Sequence, residues 1–355
     1  MYTFLDLPIE IQSLIITEAL FTPRPAPRCP STRDRVSQDL KYTPTAGSKI
    51  RHEERSTNAY TLSTDLSLLL TCRQIHSVTK ATLLRPRPIS YTLDLAILHS
   101  QDIYATWLCV PKLTNRVDSL NISIRTFGRI GNEKVHLPKD LGLTTDNPIE
   151  NFETLFTWFE WNPYRESWSI YGLLPRLLWA GPLIGTDTPE DVRSAWAAPT
   201  YKDRKLGVQA LSLDFSSPSR VLGLSDDAQL VPVLDLEFPP EEVRYEHWWL
   251  WVHGRRLPGF ERAAGADLDL GMYKPRPEWL ARRLRDEIAN FLQFPDGKVG
   301  YAVLLLVRVG MVRILVDGKV FWEADIGVAM KEAIETCKDK RFWEYIARVR
   351  ERNLC

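Results

Sequence analysis

The sequence predicts an α+β protein, with a helical N-terminal module over residues 1–87 and a mixed sheet with flanking helices over residues 88–355. Three observations carry this. Residues 5–20, LDLPIEIQSLIITEAL, place apolar side chains at spacings of three and four, the repeat of an amphipathic helix. Three later stretches, 117–124, 208–215 and 231–238, alternate apolar and polar residues as strands do, with helical patterns between them. Finally, Asp317-Gly318 stands between two alternating runs, the strongest short signal for a two-residue hairpin.

In the first helix Asp6 is suited to the N-cap and Pro8 to the first turn, where a missing N–H costs nothing. Leu7, Ile11, Leu14, Ile15 and Ala19 form one apolar stripe, and Ile9, Ile16 and Leu20 lie beside it. The helix is therefore apolar over more width than one packing partner needs. Being short, it must be held by tertiary contacts or by a partner.

Residues 22–61 change abruptly to Pro, Arg, Ser and Thr with almost no apolar period, which reads as a solvated loop inserted in the module. A second helix is expected from Leu66, Leu69, Leu70 and Arg73, with Leu68, Cys72, Ile75, Thr79 and Leu83 on a neighbouring face, ending at Arg85-Pro86. It should pack on the first.

The start Phe4-Leu5-Asp6-Leu7-Pro8-Ile9-Glu10-Ile11, followed by Leu68-Leu69-Leu70-Thr71-Cys72-Arg73-Gln74-Ile75, resembles the F-box-like domain common in fungal proteins. That resemblance covers about the first 85 residues. It implies a small helical module that binds the Skp-type adaptor of a cullin ubiquitin ligase, offering it Leu7, Pro8, Ile11 and Ile15 with Leu70 and Ile75. The larger domain would then recruit a client protein, which the sequence does not name.

Beyond the module, Ile89, Tyr91, Leu93 and Leu95 alternate with Ser90, Thr92 and Asp94 as in a half-buried strand. Ser100 is read as the cap of a helix carrying Ile103, Trp107 and Leu108. The stretches 117–124, 208–215 and 231–238 share the pattern V-x-x-L-x-(I/L)-x-(I/F), similar to the strand of a leucine-rich repeat. Their spacing is irregular, so the reading is strands of one sheet or, at most, a degenerate repeat array. Helices are expected from Asn147-Pro148 through Phe159 and from Thr188 through Trp196. Residues 239–260, with tryptophans and histidines beside two arginines, have the start, stripe and stop of a core helix. Pro277 opens another with Trp279, Leu280, Leu284, Ile288, Phe291 and Leu292. Residues 301–309, YAVLLLVRV, read as an interior strand. A closing helix carries Met330, Ile334, Cys337, Phe342, Tyr345, Ile346 and Val349.

Composition bounds the rest. The chain has 355 residues, 44% hydrophobic and 25% charged, enough for one large or two smaller globular domains. With 45 basic and 45 acidic residues, no whole-chain field draws nucleic acid or an anionic membrane. Five scattered cysteines without a C-x-x-C pair argue against a disulfide framework or zinc module, and a cytosolic or nuclear location is expected. No G-x-G-x-x-G, P-loop, H-E-x-x-H or G-x-S-x-G occurs. His52 with Glu53 and Glu54, Asp267 with Asp269, and His247 with His253 read as solvated or core residues rather than as acid/base pairs. Cys72 reads as an inert packing thiol. The expectation is a non-enzymatic interaction protein without cofactor or metal; the runner-up is a stand-alone scaffold that binds no adaptor, and an enzyme built from unremarkable residues comes last.

Overall fold

The computed structural model of the chain describes residues 3–27, 35–39, 53–57, 64–98, 102–127, 173–174, 177–178, 181–183, 206–216, 276–293, 305–336 and 340–354. The readings made for 147–159, 188–196, 231–238 and 239–260, and those for His52, Asp267 with Asp269, and Cys337, lie outside these residues, as do the side chains of Glu53, Glu54, Phe291 and Phe342.

Among the described residues, eight strands form one mixed sheet in the order β1-β2-β4-β3-β5-β6-β7-β8. They are β1 (Arg35–Asp39), β2 (Glu53–Thr57), β3 (Ser90–Leu98), β4 (Asp102–Cys109), β5 (Arg116–Phe127), β6 (Gly207–Ser216), β7 (Val309–Val316) and β8 (Lys319–Asp325). The middle four, β3, β5, β6 and β7, run parallel, while β4 and β8 pair antiparallel on either side. The shared strand pattern is aligned position for position across β5 and β6: Val117 faces Val208, Leu120 faces Leu211, Ile122 faces Leu213 and Ile124 faces Phe215. Adjacent strands carry these rows outward, as Leu93–Ile122–Leu213–Ile314 and Tyr91–Leu120–Leu211–Val312. All eight of these side chains are buried, so each strand presents one largely apolar face, as period-two alternation requires.

Among the described residues, that face is buried by α4 (Pro277–Gln293), α5 (Ile326–Thr336) and α6 (Lys340–Leu354), with Leu173, Leu174, Leu177 and Leu178 in the same core. Leu280, Leu284, Ile288, Ile326, Met330, Trp343 and Ile346 share one apolar core with the strands. The opposite face carries Thr92, Asn121, Ser212 and Arg313 in one lateral row. There Asp94 is buried and bound by Arg125, Nε to Oδ1 at 2.7 Å and Nη2 to Oδ2 at 2.6 Å. Strand β3, expected to be half-buried, is thus covered on both faces over residues 93–97.

Several expectations are corrected. The run after Ser100 is strand β4, not a helix. Its Ile103-to-Trp107 spacing suggested a turn of helix, yet Ile103, Tyr104, Thr106 and Trp107 are β-formers, and antiparallel pairing with β3 decides. Within 301–309, residues 305–308 are helical and β7 begins only at Val309; a short apolar run fits either state. Arg350 of α6 fixes this junction, donating through Nη1 to the carbonyls of Leu306 and Val309 and through Nη2 to Gly310 O at 3.1 Å. Burial pushes that guanidinium below its ordinary value. The closing helix is two helices, α5 and α6. Trp343, absent from the expected stripe, is buried, whereas Tyr345 is exposed. The insertion at 22–61 is not wholly loop, since β1 and β2 pair as an antiparallel ribbon and β2 meets β4 at Glu54 and Ile103.

The hairpin between β7 and β8 turns on Asp317 at φ 48° and Gly318 at φ 75°, the positive pair of a type I′ turn. Open space surrounds the position of a Cβ at Gly318, so substitution there is resisted by backbone strain alone. Gly318→Val is expected to cost about 1–2 kcal/mol and to lower the melting temperature. An unchanged melt would contradict it.

Candidate interaction surface

The N-terminal module is built from α1 (Ile9–Phe21), α2 (Thr64–Leu69) and α3 (Arg73–Leu84). Asp6 does not cap α1 as expected. Leu7 precedes proline and is extended at ψ 148°, because the ring of the next residue disfavours helical backbone there. Helix α1 therefore starts after Pro8, which is its N-cap. Asp6 instead closes a 3-10 turn over Phe4–Asp6, its Oδ2 accepting from Thr3 N at 2.7 Å and Thr3 Oγ1 at 2.9 Å. Both bonds favour the ionised form and hold its carboxyl below the usual range.

The single second helix expected from Leu66 is broken at residues 70–72. Cys72 is extended at φ −153° and becomes the N-cap of α3. The ring Nδ1 of His76 donates to Leu69 O at 2.9 Å, holding the end of α2 against the first turn of α3. Cys72 is thus a half-buried cap rather than a residue inside a packing helix.

Helix α1 packs on α3 through Gln12, Ile16 and Leu20, which are four residues apart and so share one face. Ile16, Leu20 and Val78 form the module's small core, with Phe4, Phe21, Leu68, Ile75 and Leu83 against it. The opposite face of α1 carries Ile11, Leu14 and Ile15, which are 42%, 65% and 43% exposed. The helix is thus apolar on both sides, with Ile16 and Leu20 inside beside the single amide of Gln12 at 1% exposure and three large aliphatics outside.

Of the residues assigned by resemblance, Ile11 and Ile15 thus stand together on the outer face of α1. Pro8 is exposed and Leu7 half-buried in the turn before it, and Leu70 is 76% exposed at the break between α2 and α3. Ile75 is placed differently, packed against the module's own core. Leu5, Ile9 and Leu14 are exposed alongside and were not assigned. Leu14 was legible as a member of the outer stripe; Gln12, a polar residue turned inward, left no signal in the apolar period.

The chain leaving α1 ties the module to the sheet. Arg24 N donates to Leu108 O at 3.0 Å, Arg125 Nη2 donates to Pro27 O at 2.8 Å, and Cys109 Sγ donates to Leu20 O at 3.6 Å. Arg87 stacks on the Phe21 ring at 4.7 Å. Burial raises the pKa of the Cys109 thiol.

Inside α3, Thr79 is fully buried and its Oγ1 has no hydrogen-bond partner among the described residues, while Thr82 Oγ1 donates to Val78 O at 2.9 Å. An unsatisfied buried hydroxyl is destabilising. Thr79→Val is expected to raise stability by about 1 kcal/mol, read as a higher denaturation midpoint; a fall would show that the hydroxyl is satisfied.

Among the described residues no three His, Cys, Asp or Glu side chains gather as a metal site. No described helix is long and apolar enough to cross a membrane. The chain matches no protein-family model, no curated protein and no solved structure.

Proposed function

We propose that residues 1–87 are an F-box-like module that docks a Skp-type adaptor of a cullin ubiquitin ligase, with the remaining domain recruiting a client protein. The observation that supports this most is the exposed aliphatic face of α1 opposite the side that packs on α3. Exposed single aliphatics are ordinary, but Ile11, Leu14 and Ile15 form a contiguous face, and such faces mark binding sites. A few anchors suffice, because interface energy concentrates in hot spots, and an apolar helix face is what a hydrophobic groove accepts. The in-register copies on β5 and β6 support reading the larger domain's strands as remnants of a repeat.

The scaffold reading has its own support in Ile75, which serves the module's core, and in the contacts of residues 22–27 with the sheet. Calorimetric titration of the full chain with a purified Skp-type adaptor separates the two. The adaptor reading expects saturable one-to-one binding with a negative heat-capacity change from apolar burial. Absence of binding up to the solubility limit leaves the scaffold.

A further inference from the structure

Gln12 is a buried amide in a row otherwise aliphatic, and burial of an amide is tolerated only where its donors and acceptor are satisfied. Its Nε2 donates to Leu7 O at 2.7 Å and to Leu5 O at 3.2 Å, and its Oε1 accepts from Gln74 Nε2 at 3.2 Å. Gln74 Nε2 also lies 3.4 Å from Leu5 O. Two residues far apart in sequence thus meet over the turn at 5–8. Because Leu7 is extended before Pro8, the helix backbone leaves the Leu5 and Leu7 carbonyls to these side chains.

We propose that Gln12 and Gln74 are a clasp that positions the 5–8 turn against α1 and α3, and with it the start of the apolar docking face. This rests on the adaptor reading, since the turn carries Leu5, Leu7 and Pro8 and leads directly into Ile9 and Ile11. A leucine at position 12 would fill the space between α1 and α3 but leave the Leu7 carbonyl without its donor and the Leu5 carbonyl with only the longer bond from Gln74, so the turn would be freer to shift. The glutamine pair holds the turn by direction as well as by volume. The clasp is therefore a positioning device: it acts on the partner only through the turn it holds.

The test uses the full chain. Gln74→Leu keeps comparable volume and removes the link between α3 and the turn. It is expected to weaken adaptor binding by roughly tenfold, about the effect of one hydrogen bond. Val78→Ala loosens the module core without touching the clasp. It is expected to raise hydrogen exchange in α1 at least as much, yet keep affinity within about twofold, because positioning rather than stability sets the affinity. Unchanged affinity in Gln74→Leu, or an equal loss in Val78→Ala, overturns the proposal. A cycle of Gln12→Leu, Gln74→Leu and both together, read from exchange at residues 5–12, is expected to be non-additive by about fivefold in opening constant. Additivity overturns the clasp even where the adaptor binds. A wild-type chain that binds no adaptor sinks the partner reading alone, and the cycle then decides the clasp.

Discussion

Asp94→Ala is expected to lower stability by about 3–5 kcal/mol. Asp94 has 1% of its side chain exposed and Arg125 has 12%, so removing the carboxylate leaves a guanidinium enclosed with its best partner gone. Arg125 also donates to Pro27 O, so the loss should spread to the chain leaving α1. Replacing both partners with apolar residues of similar volume, Asp94→Leu with Arg125→Met, is expected to recover most of the loss, since a buried pair is costly to break but near neutral to replace. Denaturant midpoints on the single and double variants give the check. A loss under 1 kcal/mol for Asp94→Ala would show that the pair reaches solvent.

Phe215→Ala is the second large effect, expected at about 3–5 kcal/mol. The ring is 1% exposed, lies beside Ile124 in the β5–β6 register and belongs to the core that α4, α5 and α6 close. Truncation removes its apolar burial and leaves a cavity between strand and helices, where close packing limits relaxation. Phe215→Leu should recover part of that loss. If Phe215→Ala melts like the wild type, the face assigned to the core is not the buried one.

The sequence showed those elements whose local chemistry permits one answer. Asp317-Gly318 announces its hairpin because positive φ is tolerated there, and β3, β5 and β6 alternate cleanly because one face meets helices. Helix α4 has a proline start and a stripe that its buried Leu280, Leu284 and Ile288 match. Elsewhere the period is ambiguous by nature. Residues 305–308 are apolar in any conformation, and Ile103 with Trp107 satisfies a helical spacing inside a strand. The break at 70–72 depends on a side chain, His76, bonding a carbonyl seven residues back, which no period records. At the candidate surface the apolar width of α1 was visible, but which side turns inward was not. That choice follows from Gln12 finding carbonyls on the 5–8 turn and an amide on α3, a tertiary fact. The break at 70–72 likewise leaves Leu70 exposed and Ile75 packed inward, although both were assigned to the same partner.

The most direct measurement is made on one double variant, Ile11→Lys with Ile15→Lys, by pull-down with a Skp-type adaptor and by a melting curve. Both side chains are already part-exposed, so lysine there keeps its charge in water and burdens the fold little. At an interface the same charges would be desolvated without partners. Adaptor capture is expected to be lost while the melt stays near that of the wild type. A collapsed melt, in a protein whose wild-type form never captures the adaptor, would contradict it and place the outer face of α1 inside the protein's own core.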